Sequence, residues 1–196
     1  MANFEQNNTL ILASSSPRRQ ALLLEANYSV LVHQPSESAE NQHQLGESAA
    51  DFVQRQAIQK AKDVALQHAT GVILGCDTVA CLQDEILGKP NDRDHAQQML
   101  EMLRGHHHTV RSGICLWTRP SDRISVRCIE TTLLFDDVSD DALQQYLDTN
   151  KWQGKAGAFG FQDGWDWLHI IHGSSSNVVG LPLEALAEML ATIETS

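Results

Sequence analysis

The sequence predicts an α/β fold, a mixed twisted sheet flanked by helices. Two patterns carry that expectation. Short apolar runs alternate with segments of helical periodicity, beginning with 10–13 followed by 17–25. Two long strand-like segments, 110–117 and 124–135, then follow one another across a Pro120-Ser121-Asp122 turn and supply an antiparallel pair. The length of 196 residues and the 42% hydrophobic content suit one domain, or one domain with two lobes.

Leu10-Ile11-Leu12-Ala13 reads as a buried first strand. Ser16 then stands where a helix N-cap belongs, and Pro17 at the first helical position, where its missing N–H costs nothing. Leu22, Leu23 and Ala26 give the first helix its apolar side, and Asn27 is its stop. A second strand is predicted over 28–32. The polar segment 34–46 has no periodicity and reads as a loop, with the composition of a mobile flap. A long helix is predicted over 47–69, where Phe52, Val53, Ala57, Ala61, Val64 and Ala65 recur at helical spacing. Segment 72–82, dense in β-branched and apolar residues, is a strand buried on both faces, and Gln83-Asp84-Glu85 turns it into a short arm at Ile86-Leu87. A helix over 92–103 is capped near Asn91 and stopped at Gly105. After the long strand pair come a helix over 139–147 with Ser139 as cap, a strand over 165–171 and a final helix over 183–193.

Composition excludes several classes. The formal net charge of −11 argues against general nucleic-acid or anionic-membrane binding. No apolar stretch approaches the ~20 residues of a membrane helix. The polar residues 1–8 lack the pattern of a signal peptide and read as a flexible tail before a single domain over 9–194. Cys76, Cys81, Cys115 and Cys128 sit in or beside apolar stretches without C-x-x-C spacing, which reads as buried reduced thiols and a cytoplasmic setting. Adjacent His106, His107 and His108 alternate faces on a strand and do not chelate one ion easily; His108 is expected to pack or hydrogen-bond, with the others exposed.

The chemistry-bearing residues are few. Arg18 and Arg19 open the first helix against its dipole, which fits either two solvated arginines or an anion bound at the helix N-terminus. Asp77 interrupts a buried strand; it is a carboxylate accepting backbone N–H bonds, a metal ligand or a general base. Lys60 lies on the apolar side of the long helix near Phe52, Val53 and Ala57, whereas Lys62 reads as a surface lysine. Lys89 sits in a Gly88-Lys89-Pro90 turn that can aim an ammonium. Segment 154–162 joins glycines, which allow close backbone approach, to Gln162, whose amide can read a nucleobase edge or simply face solvent. Trp152, Trp165 and Trp167 read as core or interface residues. The G-x-x-x-x-G-K-[ST] phosphate loop, the G-x-S-x-G elbow and the G-x-G-x-x-G fingerprint are all absent.

Taken in order, S-S-S-P-R-R, Gly75-Cys76-Asp77-Thr78-Val79, Gly88-Lys89-Pro90, Gly154-Lys155-Ala156-Gly157-Ala158-Phe159-Gly160-Phe161-Gln162 and Asn177-Val178-Val179-Gly180-Leu181-Pro182-Leu183 resemble the Maf family of nucleoside triphosphate pyrophosphatases over nearly the whole chain. The resemblance implies two lobes around a central cleft, as in inosine triphosphatase-like folds. It implies a cytoplasmic enzyme, dependent on Mg²⁺ or Mn²⁺, that splits a nucleoside triphosphate into monophosphate and pyrophosphate, and it suggests a homodimer. Carried over by motif, Ser14, Arg18 and Arg19 fall in the S-x-S-P-R-R element, Lys60 in K-A, Asp77 in D-T, Lys89 in K-P and Gln162 in G-x-Q. The family's acidic loop residue is matched best by Glu40, with Glu37 second. Asp77, Lys60, Lys89 and Glu40 are then the catalytic set, and Asp77 and Glu40 the metal ligands. Arg18, Thr78 and Gln162 agree with the family's dTTP/UTP type, whereas the 7-methyl-GTP type carries Trp, Gln and Glu at those places. The implied roles are triphosphate binding by Arg19, Lys60 and Lys89, water activation by Asp77 with Glu40, and base reading by Arg18, Thr78 and Gln162. Phe159, Phe161 and the run Asp163-Gly164-Trp165-Asp166-Trp167 depart from the family's usual residues. Two other readings are a non-catalytic nucleotide-binding regulator of cell division, and the same chemistry on 7-methyl-GTP or another non-standard nucleotide.

Overall fold

The computed structural model describes residues 10–83 and 85–194. The predicted tail and Asp84 of the predicted turn lie outside them. In chain order the elements are β1 (Leu10–Ala13), α1 (Pro17–Glu25), β2 (Val30–Val32), α2 (Ala49–Ala65), β3 (Gly71–Leu82), β4 (Glu85–Leu87), α3 (Arg93–Leu103), β5 (His107–Arg119), β6 (Arg123–Phe135), α4 (Asp140–Asp148), β7 (Leu168–His172), α5 (Ser175–Val179) and α6 (Leu183–Glu194). The strands form one mixed sheet in the order β2-β1-β3-β5-β6-β7, with β4 also on β3. β1 is parallel to β2 and β3; the other pairings are antiparallel.

Strand alternation assigns the faces. On one face, Ala57, Ala61, Val64 and Ala65 of α2 cover Ile11, Ala13, Ile73 and Cys115. The helix lies so close that a Cβ at Gly75 or Gly113 would come within 2.1 Å of the Ala57 or Val53 carbonyl oxygen. The opposite face carries two separate clusters. Leu22, Leu23, Leu186 and Met189 from α1 and α6 pack on Leu12, Leu74, Cys76 and Ile114. Leu100, Leu103, Leu143 and Tyr146 from α3 and α4 pack with Ala80, Val110, Leu133 and Phe135. Between the clusters that face turns polar. Thr78 follows Cys76 and precedes Ala80 on β3, and Ser112 stands opposite it on β5, between Ile114 and Val110.

The edge of β3 is also interrupted. β1 pairs with it as far as Gly75 and β4 only from Ala80, so 76–79 have no strand on that side among the described residues. The break lies at the carboxyl end of β1, where open α/β sheets place their ligands.

Several sequence expectations are corrected by tertiary contacts. The long helix begins at Ala49, because the Ser48 side chain accepts the Asp51 N–H and caps it, and it ends at Ala65. Asp92, rather than Asn91, caps α3, accepting the His95 N–H at 2.8 Å. Ser16 occupies the N-cap of α1 with extended backbone, but its hydroxyl makes no capping bond. β5 begins at His107, where pairing with Leu134 overrides a weak local signal. β7 begins only at Leu168, because Trp165 and Trp167 stack instead with Tyr146 and Phe159. The segment 34–46 is no free flap. It contains a 3-10 turn at Glu37–Ala39, and α2 side chains bind it at both ends of that turn. Ser139 caps α4, and Asn27 and Gly105 take left-handed conformations just beyond α1 and α3, as expected.

Candidate active site

A cleft of about 610 Å³ runs between the two clusters and over the break in β3. Ser14, Arg18, Arg19, Glu40, Lys60, Asp77, Thr78, Lys89 and Gln162 all line it. Glu37 is exposed and does not.

Arg19 is held by three neighbours. Its Nε donates to the Gly180 carbonyl at 2.8 Å, Nη1 to Ser14 Oγ at 3.2 Å and Nη2 to Thr78 Oγ1 at 3.1 Å. A guanidinium has five N–H donors, so two remain for a ligand in a fixed orientation. Ser14 Oγ also accepts the Ser16 N–H at 3.1 Å, so the serine that organises the helix entrance is Ser14. The Thr78 hydroxyl is fully engaged. It lies 2.8 Å from Ser112 Oγ and 3.2 Å from the Gly180 oxygen, and it accepts from Arg19. One proton arrangement satisfies all three: Ser112 donates to Thr78, and Thr78 donates to Gly180.

Lys60 is buried, and its Nζ reaches Asp77 Oδ1 at 2.7 Å and Glu40 Oε1 at 3.1 Å. Helix α2 thus places one ammonium between a carboxylate of the open strand segment and one of the loop. Among the described residues Asp77 Oδ2 makes no hydrogen bond. The Lys60 charge holds the Glu40 carboxyl below its ordinary pKa, against the opposing effect of partial burial, and Lys89 and Arg19 add to the lowering. Lys89 is exposed in its turn and has no ion-pair partner among the described residues. Arg18 reaches the Gly154 carbonyl at 3.4 Å, and Gln162 is exposed, with no side-chain bond among the described residues.

Sequence reasoning missed the residues that hold Glu40. The Gln56 amide takes both backbone groups of Asn41, accepting its N–H at 3.2 Å and donating to its carbonyl at 2.5 Å. Asp63 accepts from the Ser36 N–H at 2.7 Å and from its hydroxyl at 2.9 Å. Gln56 and Asp63 stand seven residues apart, on one face of α2. That phase is the only signal the sequence offers for them. Ser112 and Tyr146 were missed too, while Gly180, Lys155 and Asp163 stood in the motif segments or beside them without a role.

Cations outnumber carboxylates here. Arg18, Arg19, Lys60 and Lys89 face Glu40 and Asp77, while Lys155 and Asp163 pair with each other. A chain of net charge −11 therefore holds a local basic cleft at a helix N-terminus, the arrangement that suits a polyphosphate. The residues that would hold a divalent cation lie beside it. Among the described residues no three metal-ligating side chains cluster, but Mg²⁺ is commonly held by one or two carboxylates with substrate phosphates completing its shell. Glu40 and Asp77 converge as such a pair.

Phosphate-binding clefts of this kind recur across folds, and comparison with known proteins narrows the class. A family model described as Maf-like protein matches residues 9–193, and the chain belongs to that family. A dTTP/UTP pyrophosphatase of Rhodopirellula baltica is 48% identical over 187 residues, covering 95% of this chain and 82% of its own. One from Latilactobacillus sakei is 39% identical over 181 residues, covering 92% and 98%. The solved structure of a HAM1 protein from Coxiella burnetii has the same fold, with a TM-score of 0.50 at 14% identity over 96% of this chain and 100% of that one.

Proposed function

We propose that the protein is a nucleoside triphosphate pyrophosphatase acting on dTTP and UTP. The observation that carries the reading is the pairing of Asp77 with a buried Lys60 at the open edge of β3, facing the cationic cleft. The relatives named dTTP/UTP pyrophosphatase support the substrate.

In the mechanism that follows from this geometry, the free N–H groups of Arg19, the N-terminus of α1 and the Lys89 ammonium bind the triphosphate and meet the charge that develops on it. Lys60 holds Asp77 through Oδ1. Asp77 Oδ2 takes a proton from a water positioned behind the α-phosphorus. The oxygen of that water bonds to the α-phosphorus, the bond to the bridging oxygen breaks, and pyrophosphate leaves with the electron pair. Glu40 and Asp77 are the residues that would hold a divalent cation, which supplies charge neutralisation on the phosphate oxygens. Arg18 and Gln162 face the base. Thr78, its hydroxyl engaged within the protein, acts by fixing Arg19.

The test is pyrophosphate release from dTTP, UTP, CTP, ITP and 7-methyl-GTP with Mg²⁺ or Mn²⁺, in the parent and in Asp77→Asn. Turnover of dTTP and UTP that falls about 10²- to 10⁴-fold in the variant supports the reading. A variant as active as the parent removes Asp77 as the base. Nucleotide binding without turnover makes the protein a sensor instead.

A further inference from the structure

The segment that carries Gln162 is closed by a charge pair that the reaction does not use. Lys155 Nζ contacts both carboxylate oxygens of Asp163, and the two side chains are only 15% and 11% exposed. The buried Tyr146 of α4 donates to Asp163 Oδ2 at 2.8 Å, with the Ala158 carbonyl 3.2 Å from the same hydroxyl. The Asp163 backbone is tied as well. Its N–H donates to the Gly160 carbonyl at 3.0 Å, and its carbonyl accepts from Lys151 Nζ at 3.0 Å. The pair sits directly over Gly160, where a Cβ would lie 2.6 Å from Lys155 Nζ and from Asp163 Oδ2. The same segment touches both neighbouring parts of the cleft. The Gly157 N–H donates to the Gly88 carbonyl beside Lys89, and the Gly154 carbonyl receives Arg18.

Lys155 lines the cleft, but its charge is already matched, and pulling it toward a phosphate would leave a buried carboxylate unpaired. The pair therefore works on the loop and not on the phosphates. We propose that Asp163, gripped by Lys155 and Tyr146, is a positioning residue for base selection: it fixes the 155–163 loop so that the adjacent Gln162 meets the base in one place. An amide held before binding discriminates hydrogen-bonding patterns, because the ordering of its backbone has been completed in folding. A loose one accepts several bases. The inference rests on the reading of Gln162 as a base contact.

The experiment measures kcat and KM for dTTP and dGTP in Asp163→Asn, Lys155→Met and the double variant, with Gln162→Ala as reference and circular dichroism as the check on folding. The double variant removes both charges together and so keeps a folded protein in the set. The expected result is a rise of about tenfold in KM for dTTP with kcat within about threefold. The preference for dTTP over dGTP falls to that of Gln162→Ala, and the double variant is no worse than either single one. Parent-like preference in the folded Asp163→Asn or double variant, with preference lost in Gln162→Ala, overturns the positioning role and leaves the Gln162 reading intact. Parent-like preference in Gln162→Ala overturns the reading on which the inference rests.

Discussion

Asp77 was legible as a candidate site residue because a carboxylate interrupting an apolar strand demands a partner, and Lys60 because helix phase put it on the buried side. Glu40 was not legible without resemblance. Its place is set by Gln56 and Asp63, which bind backbone groups that any sequence would offer. Gln56→Leu is therefore expected to lower kcat about tenfold while leaving the fold intact, because it frees the loop beside Glu40 but removes no charge. Steady-state kinetics with urea unfolding as a control checks this, and an unchanged kcat would show that Gln56 does not hold Glu40 in place. His108 makes a pH prediction. Burial pushes its pKa down to about 4, and among the described residues its Nδ1 has no hydrogen-bond partner. The folded state keeps this imidazole neutral, while the unfolded chain takes up a proton below about pH 6.5. Its contribution is thus present above that value and is lost as pH falls toward 4, by as much as about 3 kcal/mol. Unfolding free energies at pH 7 and pH 5 should differ less in His108→Leu than in the parent; an equal difference would show that His108 is not the group responsible.

At the scale of elements, periodicity and caps sufficed where a segment's own residues decide its structure. The spacing of Val53, Ala57, Ala61 and Val64 located α2, and Ser139 capped α4 as predicted. The prediction failed where partners decide. α5 has five residues, too few for a period, and the tryptophans before β7 look like strand residues until Tyr146 and Phe159 take them. The element contact that matters most for the site is α2 on β3 and β5, since it carries Lys60 to Asp77. It depends on two glycines. A Cβ at Gly113 would meet the Val53 carbonyl carbon at 2.3 Å as well as its oxygen, both backbone atoms with nowhere to go. Gly113→Ala and Gly75→Ala should each destabilise the protein by at least about 2 kcal/mol in urea unfolding. A loss below about 0.5 kcal/mol would mean the helix can move away, and catalysis should then suffer instead.

For the whole molecule, the sequence anticipated a mixed sheet and two lobes, and the structure supplies the reason for the cleft. One sheet face carries two apolar clusters, with Thr78 and Ser112 marking the gap between them. The hydroxyl pair could not be read from the sequence, because Thr78 and Ser112 lie on separate strands and only the register joins them. Because β3 and β5 run continuously beneath both clusters, the single domain over 9–194 is expected to unfold as one unit. Tryptophan fluorescence of a Trp117→Phe variant, which leaves Trp152, Trp165 and Trp167 near α4 as reporters, should then coincide with far-ultraviolet circular dichroism across a urea transition. Separated midpoints would divide the lobes into independent units. Among the described residues no helix is long and apolar enough to cross a membrane. In the proposed mechanism, water held by Asp77 attacks the α-phosphorus. Hydrolysis of dTTP in ¹⁸O-enriched water tests it most directly, followed by mass analysis of both products. The label is expected in the monophosphate alone; label in the pyrophosphate would place the attack on the β-phosphorus and remove Asp77 from the role given to it.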